Sequence, residues 1–124
     1  MDSRVLLMIL LSVSCSAVAQ ILMKIGMSRT AIQQMLQGGR YIEAFISAML
    51  DPNVFAGFVL YFFAAMNWLV VLSRVDVSMA YPFAGLSFVI TVVLGGLLLG
   101  ETVGVGRLLG LGLVVLGICI LARS

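Results

Sequence analysis

Residues 4–24, RVLLMILLSVSCSAVAQILMK, decide the fold, because no charge interrupts the run between Arg4 and Lys24. A hydrocarbon core of roughly 30 Å is crossed by about 20 helical residues, so this run predicts a transmembrane helix. Three further runs of the same kind follow at 54–73, 79–99 and 104–122. Hydrophobic residues make up 63% of the 124 and charged residues 10%, with a mean hydropathy of +1.25, far from soluble averages. The expectation is one all-α membrane domain over residues 1–124, with four transmembrane helices and little left over for a soluble domain.

The charges exclude several functions. Five acids and seven bases lie near the ends of the apolar runs and give a net charge of +2, so there is no basic patch for nucleic acid. Histidine is absent, and Cys15 and Cys119 both fall inside apolar runs. A metal site, a His-dependent dyad and a disulfide framework are all poorly supported, and no cofactor is expected. No nucleophile with a base and no phosphate-cradling loop can be found, so the chain does not read as an enzyme. None of the four runs carries a carboxylate at membrane depth, which leaves a proton-coupled carrier without its titrating group.

Ala17-Val18-Ala19 before Gln20 has the form of a signal-peptidase site. The apolar run continues through Ile21-Leu22-Met23 and three more spans follow, so an uncleaved first span is expected. Beyond it, Ile42, Phe45, Ile46, Met49 and Leu50 recur at i, i+3, i+4, i+7, i+8. That spacing predicts an amphipathic helix over about 40–50 lying along the interface. Gly38-Gly39 separates it from the first helix, and Asp51-Pro52 reads as an N-cap with a first-turn proline opening the second span.

The second span is aromatic, carries one amide at Asn67, and has Trp68 near its far end as an interfacial anchor. The short turn Ser73-Arg74-Val75-Asp76 predicts that spans two and three form an antiparallel hairpin and are neighbours. Pro82 falls inside span three, where its ring displaces the Ser78 carbonyl; either a packing kink or a polar pathway beside Tyr81 answers to it. Gly96 with Gly100, and Gly106 with Gly110, have the small-xxx-small spacing of close helix contact, and a dimer is expected from this end of the chain. Arg4, Arg74 and Arg123 share one side, against Lys24, Arg29, Arg40 and Arg107 on the other. Three against four sets no orientation by the positive-inside rule; insertion both ways, or an orientation fixed by a partner chain, answers to that count.

Gln20-Ile21-Leu22-Met23-Lys24, Ala80-Tyr81-Pro82-Phe83, Leu99-Gly100-Glu101 and the Gly-rich fourth span resemble the small four-helix members of the drug/metabolite transporter superfamily, EamA-like and small multidrug resistance-like proteins. In the multidrug branch, resemblance implies proton-coupled cation export through a span-one glutamate, and the matching position here is Ser16. A hydroxyl stays neutral across physiological pH and can neither release a proton nor neutralise a cation. The closer resemblance is to the flippase subunits for undecaprenyl-phosphate-linked aminoarabinose, through Ala19-Gln20 with Lys24, Ala80-Tyr81-Pro82 and Leu86-Ser87-Phe88-Val89. It implies a multi-pass protein of the bacterial inner membrane. It also implies a membrane lipid as substrate and a dimer, either a homodimer, antiparallel included, or a heterodimer with a four-helix paralogue.

The expected function is a flippase subunit moving a polyprenyl-phosphate sugar or similar anionic headgroup between leaflets. The alternatives are a small multidrug resistance-type exporter of cationic or neutral solutes and a non-transporting partner subunit. Ser12, Ser16 and Gln20 recur at i, i+4, i+8, with Lys24 one turn further, as a polar stripe on one helix face. The expected substrate-binding residues are Ser12, Ser16, Gln20, Lys24, Asn67, Arg74 and Tyr81: hydroxyls and amides for the sugar, Lys24 and Arg74 for the phosphate. Close helix packing, snorkelling of Lys24 to the headgroups, and an interhelical bond from Asn67 are the competing readings. Asp51, Asp76 and Glu101 are assigned to capping or solvation at the span ends.

Overall fold

The computed structural model describes residues 3–124, which form helices joined by short connections, with no strand among them. They are α1 (Ser3–Met27), α2 (Thr30–Gln37), α3 (Tyr41–Leu50), α4 (Pro52–Leu72), α5 (Val77–Ala80), a 3-10 turn (Tyr81–Ala84), α6 (Gly85–Leu98) and α7 (Val105–Arg123). Ser3–Met27, Pro52–Leu72, Val77–Leu98 and Val105–Arg123 are each long and apolar enough to cross a membrane. The all-α, four-span fold expected from the sequence is the one observed.

Helix α1 is the hub. It lies along α4 for most of its length and also packs on α6, whereas α4 meets the third span chiefly through its first turn, α5. The hairpin expectation is corrected accordingly. The Ser73–Asp76 turn joins the two spans at one end, but α1 inserts where they were expected to run side by side. The reason is steric. At the α1–α4 crossing a Cβ on Gly57 would stand 2.8 Å from Met23 Cγ and 2.9 Å from the Ala19 carbonyl, and Ala19 and Ala64 are buried. Small residues on both helices let the backbones approach, and α1 takes the place beside α4. One apolar core lies at the N-terminal end of α1, where Val5, Ile9 and Val13 pack with Val71, Ala80, Phe83 and Ile118, and Trp68 lies against them.

The glycine-rich α7 does not do the same. Among the described residues, nothing beyond the helix's own backbone and the adjoining residues comes within 4 Å of a Cβ built on Gly104, Gly106, Gly110, Gly112 or Gly117, and Ile118 is the buried residue of this helix. Helix α7 touches α6 where Gly85 admits Val114 and Ile118, 2.9 and 3.3 Å from its would-be Cβ. Gly100 belongs to a turn instead of a helix contact, since its φ of +67° is a left-handed conformation that glycine adopts without cost. Pro82 falls in the 3-10 turn. The helix tightens there in place of keeping an α-helical bond that proline cannot donate.

The connection between the first two spans holds a helix that sequence periodicity left unread, α2. It closes at Gly38-Gly39, with Gly39 at φ +77° and the Arg40 and Gly39 N–H groups returning to Met35 and Leu36 carbonyls at 2.9 and 3.2 Å, a Schellman ending. Helix α3 buries only its small face, Ala44 and Ala48. Ile42, Phe45, Ile46, Met49 and Leu50 point outward, as a helix resting in the interface requires. Asp51 caps α4, accepting from Asn53 and Val54 N–H at 2.9 and 3.3 Å, with Pro52 in the first turn. The buried Asp51 also pairs with Arg29, tying the end of α1 to the start of α4. Burial pushes the Asp51 carboxyl up, but bonds from Val54, Arg29 and Asn53 and the Arg29 charge outweigh it and hold the group below its ordinary value.

Candidate functional site

The polar row on α1 is wound, not straight. At 3.6 residues per turn, each four-residue step overshoots a full turn by about 40°, so Ser12 and Lys24 differ by roughly 120° in direction. The surroundings follow that drift: Ser12 is buried, Ser16 half-buried, Gln20 and Lys24 exposed. The expectation of one shared face is corrected by this geometry.

At the buried end, Ser12 and Asn67 hold each other. The Asn67 amide donates to Ser12 Oγ at 2.6 Å and to the Met8 carbonyl at 2.8 Å, and Ser12 Oγ donates to the Ala64 carbonyl at 3.3 Å. These bonds join α1 to α4 in the place where an unpaired amide is expensive in hydrocarbon. Further along, neither Ser16 nor Gln20 makes a side-chain hydrogen bond among the described residues. A glutamine thus lies open on the flank of an apolar helix.

Lys24 ends the row at a rim cleft of about 460 Å³, lined by Lys24, Ile25, Ser28, Leu99 and Glu101. Glu101 is the residue that the sequence reading set aside. Gly100 turns the chain back so that the Glu101 N–H reaches the Gly95 carbonyl at 3.2 Å. Its carboxylate then lies over α6, 3.3 Å from where a Cβ on Gly95 would be. Glu101 does not cap α7, whose N-cap is Gly104. The available signal was topological: with four spans, the loop carrying Glu101 lies on the Lys24 side.

Arg74 and Tyr81 lie elsewhere. Val5 clusters with Val71, Val75 and Ala80, so the Arg74 turn and Tyr81 sit at the N-terminal end of α1. Lys24 is roughly 28 Å beyond Val5 along a helix rising 1.5 Å per residue. Lys24 and Arg74 therefore belong to opposite rims and do not hold one phosphate together. Tyr81 is exposed and opens the 3-10 turn. Among the described residues no group of three or more His, Cys, Asp or Glu is placed to hold a metal.

These features define a small multi-pass membrane protein whose first helix leaves polar side chains open between two charged rims. No known family signature matches the chain, and no solved structure does. Among curated proteins it is 41% identical over 57 residues to the probable 4-amino-4-deoxy-L-arabinose-phosphoundecaprenol flippase subunit ArnE of Pseudomonas syringae pv. syringae, covering 46% of this chain and 53% of that protein. To the ArnE subunit of Pseudomonas aeruginosa it is 40% identical over 57 residues, 46% and 50% of the two chains. The chain spans about half the length of these ArnE relatives. With the probable flippase subunit ArnF of Proteus mirabilis the identity is 30% over 111 residues, 86% of this chain and 83% of that one. The chain belongs to the family of 4-amino-4-deoxy-L-arabinose-phosphoundecaprenol flippase subunits.

Proposed function

We propose that this chain is one half of a flippase of the bacterial inner membrane. In this reading it pairs with a second four-helix chain and passes the headgroup of an aminosugar-phosphate polyprenyl lipid along the seam between them. The observation that carries this reading is the open polar row: Ser16 and Gln20 have no side-chain hydrogen-bond partner among the described residues, and facing lipid they would be costly. A second subunit laid over this flank converts the row into a lined path, with sugar hydroxyls meeting Ser16 and Gln20. Ser12 and Asn67 hold the wall of that path. Lys24 and Arg74, at opposite rims, receive the phosphate on arrival and on departure. The exposed aromatics of α4, among them Phe55, Phe58 and Phe62, leave the prenyl tail in lipid beside the path, so only the headgroup crosses.

The family relatives named for two different subunits, ArnE and ArnF, support a heterodimer of this chain with a paralogue. No carboxylate lies within α1, α4, α6 or α7, so movement follows the lipid's own gradient. The test is a flip assay in proteoliposomes with the aminoarabinose lipid, using this chain alone and with a co-expressed paralogue. Flipping that requires both chains, is abolished by S16A/Q20L/K24Q and ignores an imposed proton gradient is the expected result. Flipping unaffected by the triple variant would overturn the seam, and no flipping in either arm would overturn the flippase reading.

A further inference from the structure

We infer that the rim cleft between Lys24 and Glu101 is a charge-reading subsite for a headgroup bearing both a phosphate and a primary ammonium, Lys24 taking the phosphate and Glu101 the ammonium. This rests on the flippase reading and adds to it the residue that recognises the amine.

The two charges line one concavity, yet among the described residues neither the Lys24 ammonium nor the Glu101 carboxylate is joined to the other or to any other group. The other hydrophilic wall residue, Ser28, already donates its hydroxyl to the Lys24 carbonyl at 2.6 Å, which leaves its oxygen able only to accept and the two charges as the groups that set the cleft's preference. Ile25 and Leu99 supply apolar surface between them. A volume of about 460 Å³ falls within the usual range for small-ligand sites.

Both charges are positioned by backbone, not by chance side-chain reach. Lys24 stands in the last turn of α1, where the helix dipole favours a cation. Glu101 is fixed by the left-handed Gly100 and by the return of its own N–H to the Gly95 carbonyl at 3.2 Å, and glycine at 95 leaves room for the carboxylate. An anion without a cation meets the repulsion of Glu101, and a cation alone meets Lys24. A ligand carrying both satisfies both, so the pair selects by matching charges in addition to excluding mismatched ones.

The experiment uses the full chain, with its paralogue where flipping requires it, in phosphatidylcholine nanodiscs. Isothermal titration would compare short-prenyl aminoarabinose phosphate with its N-acetyl derivative, which keeps the phosphate and removes the ammonium. Wild type should prefer the amine form by about tenfold. E101Q should reduce that ratio to near one, weakening the amine form and relieving the repulsion on the N-acetyl form, whose retained binding also shows that the variant is folded; E101D should retain a preference. K24Q should weaken both forms alike. Aminoarabinose phosphate without the prenyl chain distinguishes a free solute from a lipid-borne headgroup, and phosphatidylethanolamine competition shows whether the cleft reads the charge pair on any lipid. Equal wild-type affinity for the two forms, or a preference that survives E101Q, would overturn the inference even where flipping is intact. Absence of both binding and flipping in wild type would instead overturn the flippase reading beneath it.

Discussion

Replacing Asn67 with leucine separates its structural role from a substrate role. The amide donates two bonds across the α1–α4 interface, to Ser12 Oγ and the Met8 carbonyl. Interhelical hydrogen bonds in membranes average about 0.6 kcal/mol each, so their loss should cost about 1.2 kcal/mol. That corresponds to roughly an eightfold change in the unfolding equilibrium. Leucine has similar bulk, which removes a cavity contribution from the account. The Ser12 hydroxyl keeps the Ala64 carbonyl as its acceptor, so no donor is orphaned and the larger penalty of an unpaired group does not arise. Reversible unfolding in mixed micelles with increasing SDS would measure the change. A double-mutant cycle with S12A should return a coupling of about 0.6 kcal/mol, and flipping per folded molecule should stay near wild type. Unfolding free energy unchanged within about 0.3 kcal/mol, with transport lost, would refute this reasoning and make Asn67 a substrate contact.

Gly57→Ala should destabilise by about 1–3 kcal/mol through overpacking against Met23 and the Ala19 carbonyl, whereas Gly110→Ala, with open space around it, should change the chain's own stability by under about 0.5 kcal/mol; the same SDS titration compares them. Gly100→Ala should cost roughly 1–2 kcal/mol for placing a Cβ in a left-handed turn, and the displaced Glu101 should lose its preference for the amine form in titration. Because the Asp51 carboxyl is held below its ordinary value, the clamp to Arg29 and the α4 N-terminus should be fully present above the unfolded aspartate pKa of about 4. It should be lost as pH falls through the lower folded value. Hydrogen exchange across α2 and α3 should accelerate only in that acid window, and D51N should remove the pH dependence.

Periodicity and apolar length alone determined the four apolar helices of spanning length, the short α3 with its outward Ile42 and Phe45, and the Asp51-Pro52 start of α4. Each is set by local chemistry, namely the length of hydrocarbon to cross, one helix's amphipathic phase, and one cap. Small changes of phase and packing were beyond such reading. That Ser12 is buried while Gln20 is open depends on a drift of about 40° per step and on which flank α4 occupies. That the useful glycine is Gly57, while Gly106 and Gly110 meet no neighbouring helix among the described residues, depends on where two helices cross. The placement of α1 between the second and third spans, the separation of Lys24 from Arg74 and the meeting of Lys24 with Glu101 at one cleft are decided by tertiary structure. They join residues far apart in the chain, and in a bundle the partner a side chain meets is chosen by how closely the backbones can pack.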